Sequence, residues 1–182
     1  MESKETKILE IFFEEPTKEW HFEEILKTAK IGRSKATIWL KKFIKQKIIK
    51  RIKEKGKMPY YTSDYTSSDY QNKKKIFALN QLYESGFLNH LNSLKKAKSI
   101  IIFGSITRSD WYKKSDIDLF IYGNSDELKI TEYETKLRRD IQVFECKNAN
   151  ELEKYGEALI KNIIKGNIIK GDLEFIKLKV NA

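Results

Sequence analysis

Residues 101–123 read IIFGSITRSDWYKKSDIDLFIYG, and this stretch decides the fold of the second half of the chain. It predicts a buried strand, a tight turn at Gly104-Ser105, a short polar helix and a second strand. Side chains two residues apart on a strand share a face, so the carboxylates of Asp116 and Asp118 are expected a few ångströms apart. Two carboxylates at such a distance resist ionisation unless a cation lies between them.

The Gly104-Ser105 turn predicts an anion site opposite this acidic pair. The first N–H groups of a helix have no partner within the helix and attract anions. Mg²⁺ takes one or two carboxylates and completes its coordination with water and substrate phosphates. A phosphate-binding turn that faces a metal-binding strand is the arrangement needed for nucleotidyl transfer. The alternative is a plain surface turn followed by an acidic strand end.

The order Gly-Ser, ten residues, Asp-Ile-Asp resembles the motif of the DNA polymerase beta-type nucleotidyltransferase superfamily, in particular its minimal nucleotidyltransferases. The resemblance implies that Gly104 and Ser105 hold the β- and γ-phosphates of a nucleoside triphosphate, with ATP as the expected nucleotide. It also implies that Asp116 and Asp118 are catalytic and bind Mg²⁺.

Arg108 matches the arginine that commonly follows the Gly-Ser pair, and the resemblance assigns it to the triphosphate. The family often has glycine at the next position, where this chain has Ser109. In two-metal phosphoryl transfer, one ion lowers the pKa of the attacking hydroxyl and the other neutralises the leaving pyrophosphate.

The resemblance further implies a third carboxylate on the strand after the next helix, where this chain has Gln142. An amide oxygen can bind a metal ion but cannot act as a base. Asp140 shares the face of Gln142 about 6.6 Å along the strand, whereas Glu145 should face away. We therefore predict Asp140 as the third catalytic acid, provided that the strand is shifted by one residue pair from the family's usual register. The alternative is that Asp140 only pairs with Arg138 or Arg139 at the surface.

Positive charge is concentrated between residues 31 and 57. This segment has eleven Lys or Arg and one acid, Glu54, a net charge of +10, while the other residues balance at 25 basic against 25 acidic. Concentrated positive charge is typical of a surface that binds a polyanion. The alternative is a solvated Lys-rich face, but such faces usually mix charge signs.

The first 65 residues predict three helices, at 7–14, 22–29 and about 34–47, followed by a hairpin at 48–53 and 58–62. This order resembles a winged helix-turn-helix domain, whose third helix enters the DNA major groove while the hairpin contacts the backbone. The predicted contacts with double-stranded DNA are the outward residues of the third helix and the hairpin lysines: Ser34, Lys35, Ile38, Lys41, Lys42, Lys45, Lys53, Lys55 and Lys57.

The predicted fold is α+β, with the winged helix-turn-helix at 1–65, a linker and connecting helices at 66–97, and a minimal nucleotidyltransferase at 98–182. The polar segment 63–72 is the expected linker. The transferase domain should contain a mixed sheet of about four strands with flanking helices, including helices that begin at Ser125 and at Asn150. The whole arrangement resembles archaeal transcription-regulator-like nucleotidyltransferases.

Composition predicts a cytoplasmic chain without membrane association. No apolar run approaches the ~18 residues of a membrane-spanning helix, the first residues are acidic rather than a signal peptide, and the lone Cys146 fits a reducing compartment.

Three functions from different classes follow. The first is a Mg²⁺-dependent transferase that moves NMP from NTP, such as AMP onto a partner protein, and controls its own transcription. Related minimal transferases often act as antitoxins on an all-helical toxin, and the resemblance leaves such a partner, and a homodimer, open. The second is a catalytically inactive, nucleotide-binding transcriptional regulator. The third is an enzyme of nucleic-acid ends, which the small size disfavours.

Overall fold

The computed structural model describes residues 3–176, which divide into two compact units. The first unit contains the chain up to Ile76 together with Trp111–Lys113, and the second contains Phe77–Asp110 and the chain from Lys114 onward. The outer limits of the predicted domains, residues 1 and 182, lie outside the described residues.

The first unit begins with three helices, as the sequence predicted. They are α1 (Lys4–Glu14), α2 (Phe22–Ala29) and α3 (Arg33–Lys45). The predicted hairpin is also present as β2 (Ile49–Ile52) and β3 (Tyr60–Ser63), which pair antiparallel. The sequence analysis missed a two-residue strand, β1 (Trp20–His21), which pairs with β3 and gives a three-stranded sheet of order β1-β3-β2.

Aromatic side chains form the core of this unit. Phe13 lies between Tyr70 and Trp111, with ring centroids 5.2 and 6.3 Å apart respectively. Tyr70 donates its hydroxyl to the Phe12 carbonyl over 3.2 Å. Burial of this hydroxyl raises the pKa of Tyr70 to about 12.

The prediction of a linker at 63–72 was therefore wrong. Ser63 ends β3, and residues from Ser68 onward form the helix α4 (Ser68–Glu84). The segment is polar, but its polar groups are used inside the fold: buried Ser63 donates its hydroxyl to Phe12 O over 2.7 Å.

The second unit contains a four-stranded mixed sheet of order β6-β5-β4-β7, which confirms the predicted architecture. Only the β5–β6 pair is parallel among the pairs described for this sheet. Its elements after α4 are α5 (Phe87–Ser93), β4 (Ala97–Phe103), α6 (Ser105–Arg108), β5 (Ile117–Gly123), α7 (Ile130–Leu137), β6 (Ile141–Cys146), a 3₁₀ helix (Ala149–Lys154), α8 (Glu157–Ile164) and β7 (Asn167–Lys170).

Two helix starts in this unit differ from the sequence predictions. Ser125 does not cap a helix, because its amide and its hydroxyl both bind the Glu145 carboxylate, and α7 begins five residues later. The helix expected from Asn150 is divided into the 3₁₀ helix and α8. Gly156, in extended backbone, separates them and precedes the first residue of α8.

The strand register determines which side chains share a face of the sheet. Ile101 lies opposite Phe120, and Phe103 lies opposite Asp118. Ile101, Phe103 and Phe120 are buried in one apolar cluster with Ile163 of α8. Asp118 is thus the polar residue at the end of an otherwise apolar row on β5.

Among residues 3–176, we find no helix that is both long and apolar enough to cross a membrane.

Candidate nucleotide and metal site

The closest packing in the motif joins Gly104 to Asp118. Gly104 follows β4 with a φ of 76°, and a Cβ atom built on it would lie 1.9 Å from Oδ2 of Asp118. No side chain fits in this space, and the left-handed backbone also disfavours any residue other than glycine. The glycine is therefore required because the Asp118 carboxylate lies directly against its backbone.

The helix that follows, α6, is a single turn of four residues. Arg108 donates its amide to Gly104 O over 3.3 Å, and Thr107 donates its hydroxyl to the same carbonyl over 2.9 Å. Ser105, the first residue of the turn, is half-buried beside Gly104. Gly104 O is thus held inside the turn, and the turn is anchored by the buried Ile106.

The carboxylate of Asp118 lies in an environment that changes its acidity. Asp118 is half-buried on β5, while Asp116 is exposed just before the strand. Burial raises the pKa of Asp118 above its ordinary value, the negative charge of Asp116 raises it further, and the positive charge of Arg108 opposes both effects. Repulsion between two close acids is relieved when a cation binds between them, so these residues fit Mg²⁺.

Arg108 and the residue after it adopt a tight conformation. Arg108 Nε lies 3.0 Å from Oδ2 of Asp110, and both side chains are more than half exposed. Ser109 has a φ of 64°, in the left-handed region that favours glycine. This backbone conformation explains why glycine suits this position, where the chain has a serine instead of the glycine of the common motif.

The neighbouring strand β6 brings Gln142 beside the acidic pair. Gln142 lies opposite Asp118 in the parallel ladder, and its side chain is exposed. Asp140 precedes β6, and its carbonyl accepts the Ile117 amide over 2.9 Å, so its backbone is level with the start of β5. The catalytic role of Asp140 stays a prediction.

Glu145 lies opposite Ile121 in the parallel ladder, whereas Gln142 lies opposite Asp118, so Glu145 has the opposite parity, as predicted. Within residues 3–176, no group of three or more His, Cys, Asp or Glu side chains is placed to hold a metal ion. A metal ion held by Asp116 and Asp118 would therefore take its other ligands from water, phosphates and amide or hydroxyl oxygens.

Comparison with known proteins adds one finding to this geometry. Residues 88–173 match the family model described as Polymerase beta, Nucleotidyltransferase. The match supports a nucleotidyltransferase domain over this part of the chain, and it includes all four strands of the second unit's sheet. Among curated proteins and among solved structures, nothing matched the chain.

The residues predicted to contact DNA all lie in the first unit, outside the transferase domain. Ser34, Lys35 and Ile38 are exposed on α3, and Ile38 has 64% of its surface accessible. The remaining residues of the predicted set are exposed on α3 or in the hairpin: Lys41, Lys42, Lys45, Lys53, Lys55 and Lys57.

Two of these lysines have acidic partners. Lys42 Nζ lies 3.1 Å from Glu5, and Lys57 Nζ lies 2.5 Å from Glu54. The pairing with Glu54 raises the pKa of Lys57. Among residues 3–176, Lys41, Lys45, Lys53 and Lys55 form no ion pair, which leaves their charge available to a polyanion.

Sequence analysis missed residues that hold the motif's spacer, residues 106–115. Arg139 Nη1 donates to Ser115 O over 3.0 Å, next to Asp116. Trp111 is buried in the first unit. A large apolar residue such as Trp111 in a polar stretch indicates that its side chain is buried. The sequence did not show in which core it is buried.

Proposed function

We propose that the protein is a Mg²⁺-dependent nucleotidyltransferase that transfers NMP from NTP, with ATP as the expected nucleotide. The observation that carries this proposal is the packing of Gly104 against the Asp118 carboxylate, which brings the backbone of the Gly-Ser turn directly against an acid of the motif. The match of residues 88–173 to the nucleotidyltransferase family model supports the same reaction class.

Each residue of the motif has a role in this proposal. Gly104 and Ser105 hold the β- and γ-phosphates, because the glycine lets the backbone approach closely. Arg108 exchanges its exposed partner Asp110 for the triphosphate, a change that costs little since exposed ion pairs contribute at most about 1 kcal/mol. Asp116 and Asp118 hold Mg²⁺, which supplies charge neutralisation and activates the attacking hydroxyl.

The third acid decides how efficient the reaction is. In this proposal Asp140, whose backbone lies level with the start of β5, accepts the proton of the acceptor hydroxyl. Gln142 can offer its amide oxygen as a neutral ligand beside Asp118. We expect weak transfer, because a neutral ligand leaves less negative charge to stabilise the second ion.

The first unit supports a proposal about partners. Its three helices, hairpin and unpaired lysines fit a winged helix-turn-helix that binds double-stranded DNA, as in archaeal regulator-like transferases. We propose that the chain regulates transcription and transfers AMP to a partner protein, such as a helical toxin. A homodimer and a cytoplasmic location belong to the same proposal.

Transfer of an α-labelled nucleotide tests the catalytic proposal. The full-length chain is incubated with Mg²⁺, labelled ATP or GTP, and a cell extract as the source of acceptors. We expect weak labelling that falls at least tenfold in Asp140→Asn, the effect of removing a general base. If Asp140→Asn retains full activity and Gln142→Glu raises it, position 142 provides the third ligand instead.

One observation favours a second function, a catalytically inactive regulator that binds nucleotide. Gln142, rather than an acid, lies beside Asp118. In this case, both the wild type and Gln142→Glu show no transfer, while calorimetry still detects Mg²⁺–ATP binding.

A further inference from the structure

The fold holds the two acids of the motif in different ways. Asp118 lies on β5 and is paired on both sides, opposite Phe103 of β4 and Gln142 of β6. Asp116 comes directly before the first residue of β5, outside the pairs of the sheet. A residue outside the ladder keeps more backbone freedom unless other contacts restrict it. The placement of the Asp116 carboxylate therefore depends on what holds the chain on either side of it.

Two hydrogen bonds flank Asp116 in the chain, and both connect it to the turn between α7 and β6. Before Asp116, the Ser115 carbonyl accepts a hydrogen bond from Nη1 of Arg139 over 3.0 Å. After Asp116, Ile117 donates its amide to the carbonyl of Asp140 over 2.9 Å. Two consecutive residues of the turn thus hold the backbone immediately before and immediately after the acid.

The turn itself is held by Glu134 of α7. The Glu134 carbonyl accepts the amide of Arg138 and, over 3.3 Å, the amide of Arg139. The Glu134 carboxylate accepts the amide of Ile141, the first residue of β6, over 3.0 Å. Glu134 therefore fixes the turn on its helix side and on its strand side.

Arg139 is well suited to hold a backbone carbonyl. Its side chain is half-buried, whereas that of Arg138 is exposed. A guanidinium carries its donors in a rigid planar arrangement, so that its hydrogen bonds define a direction as well as a distance. A charged donor also makes a stronger hydrogen bond than a neutral one. Arg139, Ser115 and Asp116 all belong to the second unit, so this contact lies within one compact part of the chain.

We propose that Arg139 is a positioning residue of the transfer site, which fixes the backbone before Asp116 and thereby the placement of the Asp116 carboxylate for Mg²⁺. This inference rests on the function proposed above. Arg139 acts through the carbonyl of Ser115, and it lies outside the motif that holds the nucleotide. Replacing a residue that orients a metal ligand typically lowers metal affinity or activity by about 10- to 100-fold.

The charge of Arg139 gives the proposal a testable sign. By Coulomb's law alone, loss of a positive charge near two carboxylates should make their site bind Mg²⁺ more tightly. Loss of a positioning contact should have the opposite effect, because the Asp116 carboxylate then spends less time where it can hold the ion. Weaker Mg²⁺ binding in a variant that lacks this charge therefore indicates positioning and not electrostatics.

The test uses full-length Arg139→Gln and Arg139→Lys. Glutamine removes both the charge and the guanidinium, whereas lysine keeps the charge without the planar arrangement of donors. Arg138→Gln is the matched control, because it removes the same charge from the adjacent, exposed position. For each chain we measure kcat, KM for ATP, the half-saturating Mg²⁺ concentration and thermal unfolding. Exchange of the Ile117 amide is measured in the metal-free protein.

We expect the half-saturating Mg²⁺ concentration to rise about tenfold in Arg139→Gln, with a fall in kcat of similar size. KM for ATP at saturating Mg²⁺ should stay near the wild-type value, since the Gly104-Ser105 turn is unchanged, and the Ile117 amide should exchange faster. Arg139→Lys should lose less than Arg139→Gln, and Arg138→Gln should match the wild type.

Two results would overturn the proposal. A role in stability alone would lower the unfolding temperature of Arg139→Gln and leave kcat, the Mg²⁺ dependence and the exchange of Ile117 unchanged. Tighter Mg²⁺ binding by Arg139→Gln, or an equal change in Arg138→Gln, would show that Arg139 acts only through its charge.

Failure of the proposed function has a different outcome, because it appears in the wild type. If the wild type transfers no nucleotide, the Kd for ATP at several Mg²⁺ concentrations, measured by calorimetry, replaces the kinetic constants. A Mg²⁺ dependence shifted to higher concentrations in Arg139→Gln, with faster exchange of Ile117, then supports positioning at a nucleotide-binding site. An unshifted Mg²⁺ dependence, or no ATP binding by the wild type, overturns the inference.

Discussion

The two units present their candidate functional residues in opposite ways. In the second unit, Asp118 packs so closely on Gly104 that no Cβ can be added there. In the first unit, the lysines of α3 and the hairpin extend into solvent, and four of them have no ion partner among the described residues. A site built by close packing should fail completely when one atom is added, whereas a surface built from charge should weaken in steps.

The largest effect should come from a single methyl group. In Gly104→Ala, the new Cβ overlaps the Asp118 carboxylate, and the backbone conformation is strained as well. We expect Mg²⁺–ATP affinity and transfer to fall at least ~100-fold, since misplacement of about 1 Å already has such an effect. Gly156→Ala is the control, because nothing lies within 4 Å of its added Cβ. Equal losses in both variants would show that the packing at Gly104 has no special role.

DNA binding should weaken in steps with each unpaired lysine. About five phosphate contacts give a slope of log K against log salt near −4 to −5 for the full-length chain. Lys41→Ala should reduce the magnitude of this slope by about 1. Lys42→Ala should change it less, because Lys42 already pairs with Glu5.

Fluorescence anisotropy with a labelled duplex at several salt concentrations provides the comparison. Lys27→Ala, an exposed change on α2 outside the basic segment, is the control. If the DNA affinity of the wild type does not depend on the salt concentration, the proposal that the first unit binds DNA is wrong.

The pKa of Asp118 should respond to its two charged neighbours. Burial and Asp116 raise this pKa, and Arg108 lowers it. Asp116→Asn should therefore decrease the pKa of Asp118, and Arg108→Gln should increase it. NMR titration of the Asp118 carboxyl carbon in the metal-free protein measures both shifts. If the pKa of Asp118 is the same in both variants as in the wild type, neither residue acts on it electrostatically.

The same shift has a defined sign for stability. A carboxyl whose pKa is raised by folding binds protons more readily in the folded chain, so its stabilising contribution is present at low pH and is lost as pH rises through the folded pKa. Without Mg²⁺, Asp118→Asn should therefore remove a destabilising charge near neutral pH. Denaturant titrations at pH 7 with and without Mg²⁺–ATP test this, and we expect the ligand to stabilise only the wild type.

The smallest effect should come from Ser109→Gly. Ser109 adopts a left-handed conformation that costs a non-glycine residue about 1–2 kcal/mol, and the greater freedom of unfolded glycine offsets about 0.4–1 kcal/mol of the gain. We expect a net stabilisation of up to about 1 kcal/mol by chemical denaturation. A loss of stability would mean that the Ser109 side chain makes a compensating contact.

The transferase fold could be predicted because its indications are local. The apolar run before Gly104 and the Asp116–Asp118 pair predicted two strands, and both are present as β4 and β5, although Asp116 lies just before β5 rather than on it. Glu145 also faces away as its parity predicted. The pattern of side chains along a strand is sufficient to predict such elements, because successive side chains point to opposite faces of the sheet.

The remaining features depend on contacts that are distant in the sequence. The polarity of residues 63–72 predicted a linker, but Tyr70 is buried through contacts with α1, more than fifty residues away. Serine is a common helix cap, but Ser125 binds the carboxylate of Glu145 on β6 instead. Trp111 and Lys74 come together from 37 positions apart, which no periodic pattern shows.

The central claim is that Asp116, Asp118, Ser105 and Arg108 form one site for Mg²⁺ and a nucleoside triphosphate. Calorimetry with ATP and with GTP, in the presence and absence of Mg²⁺, tests it most directly on the wild type and on Asp116→Asn/Asp118→Asn. We expect Mg²⁺-dependent binding by the wild type and its loss in the double variant, because both carboxylates that hold the ion are gone. Equal binding by the two proteins would contradict the account.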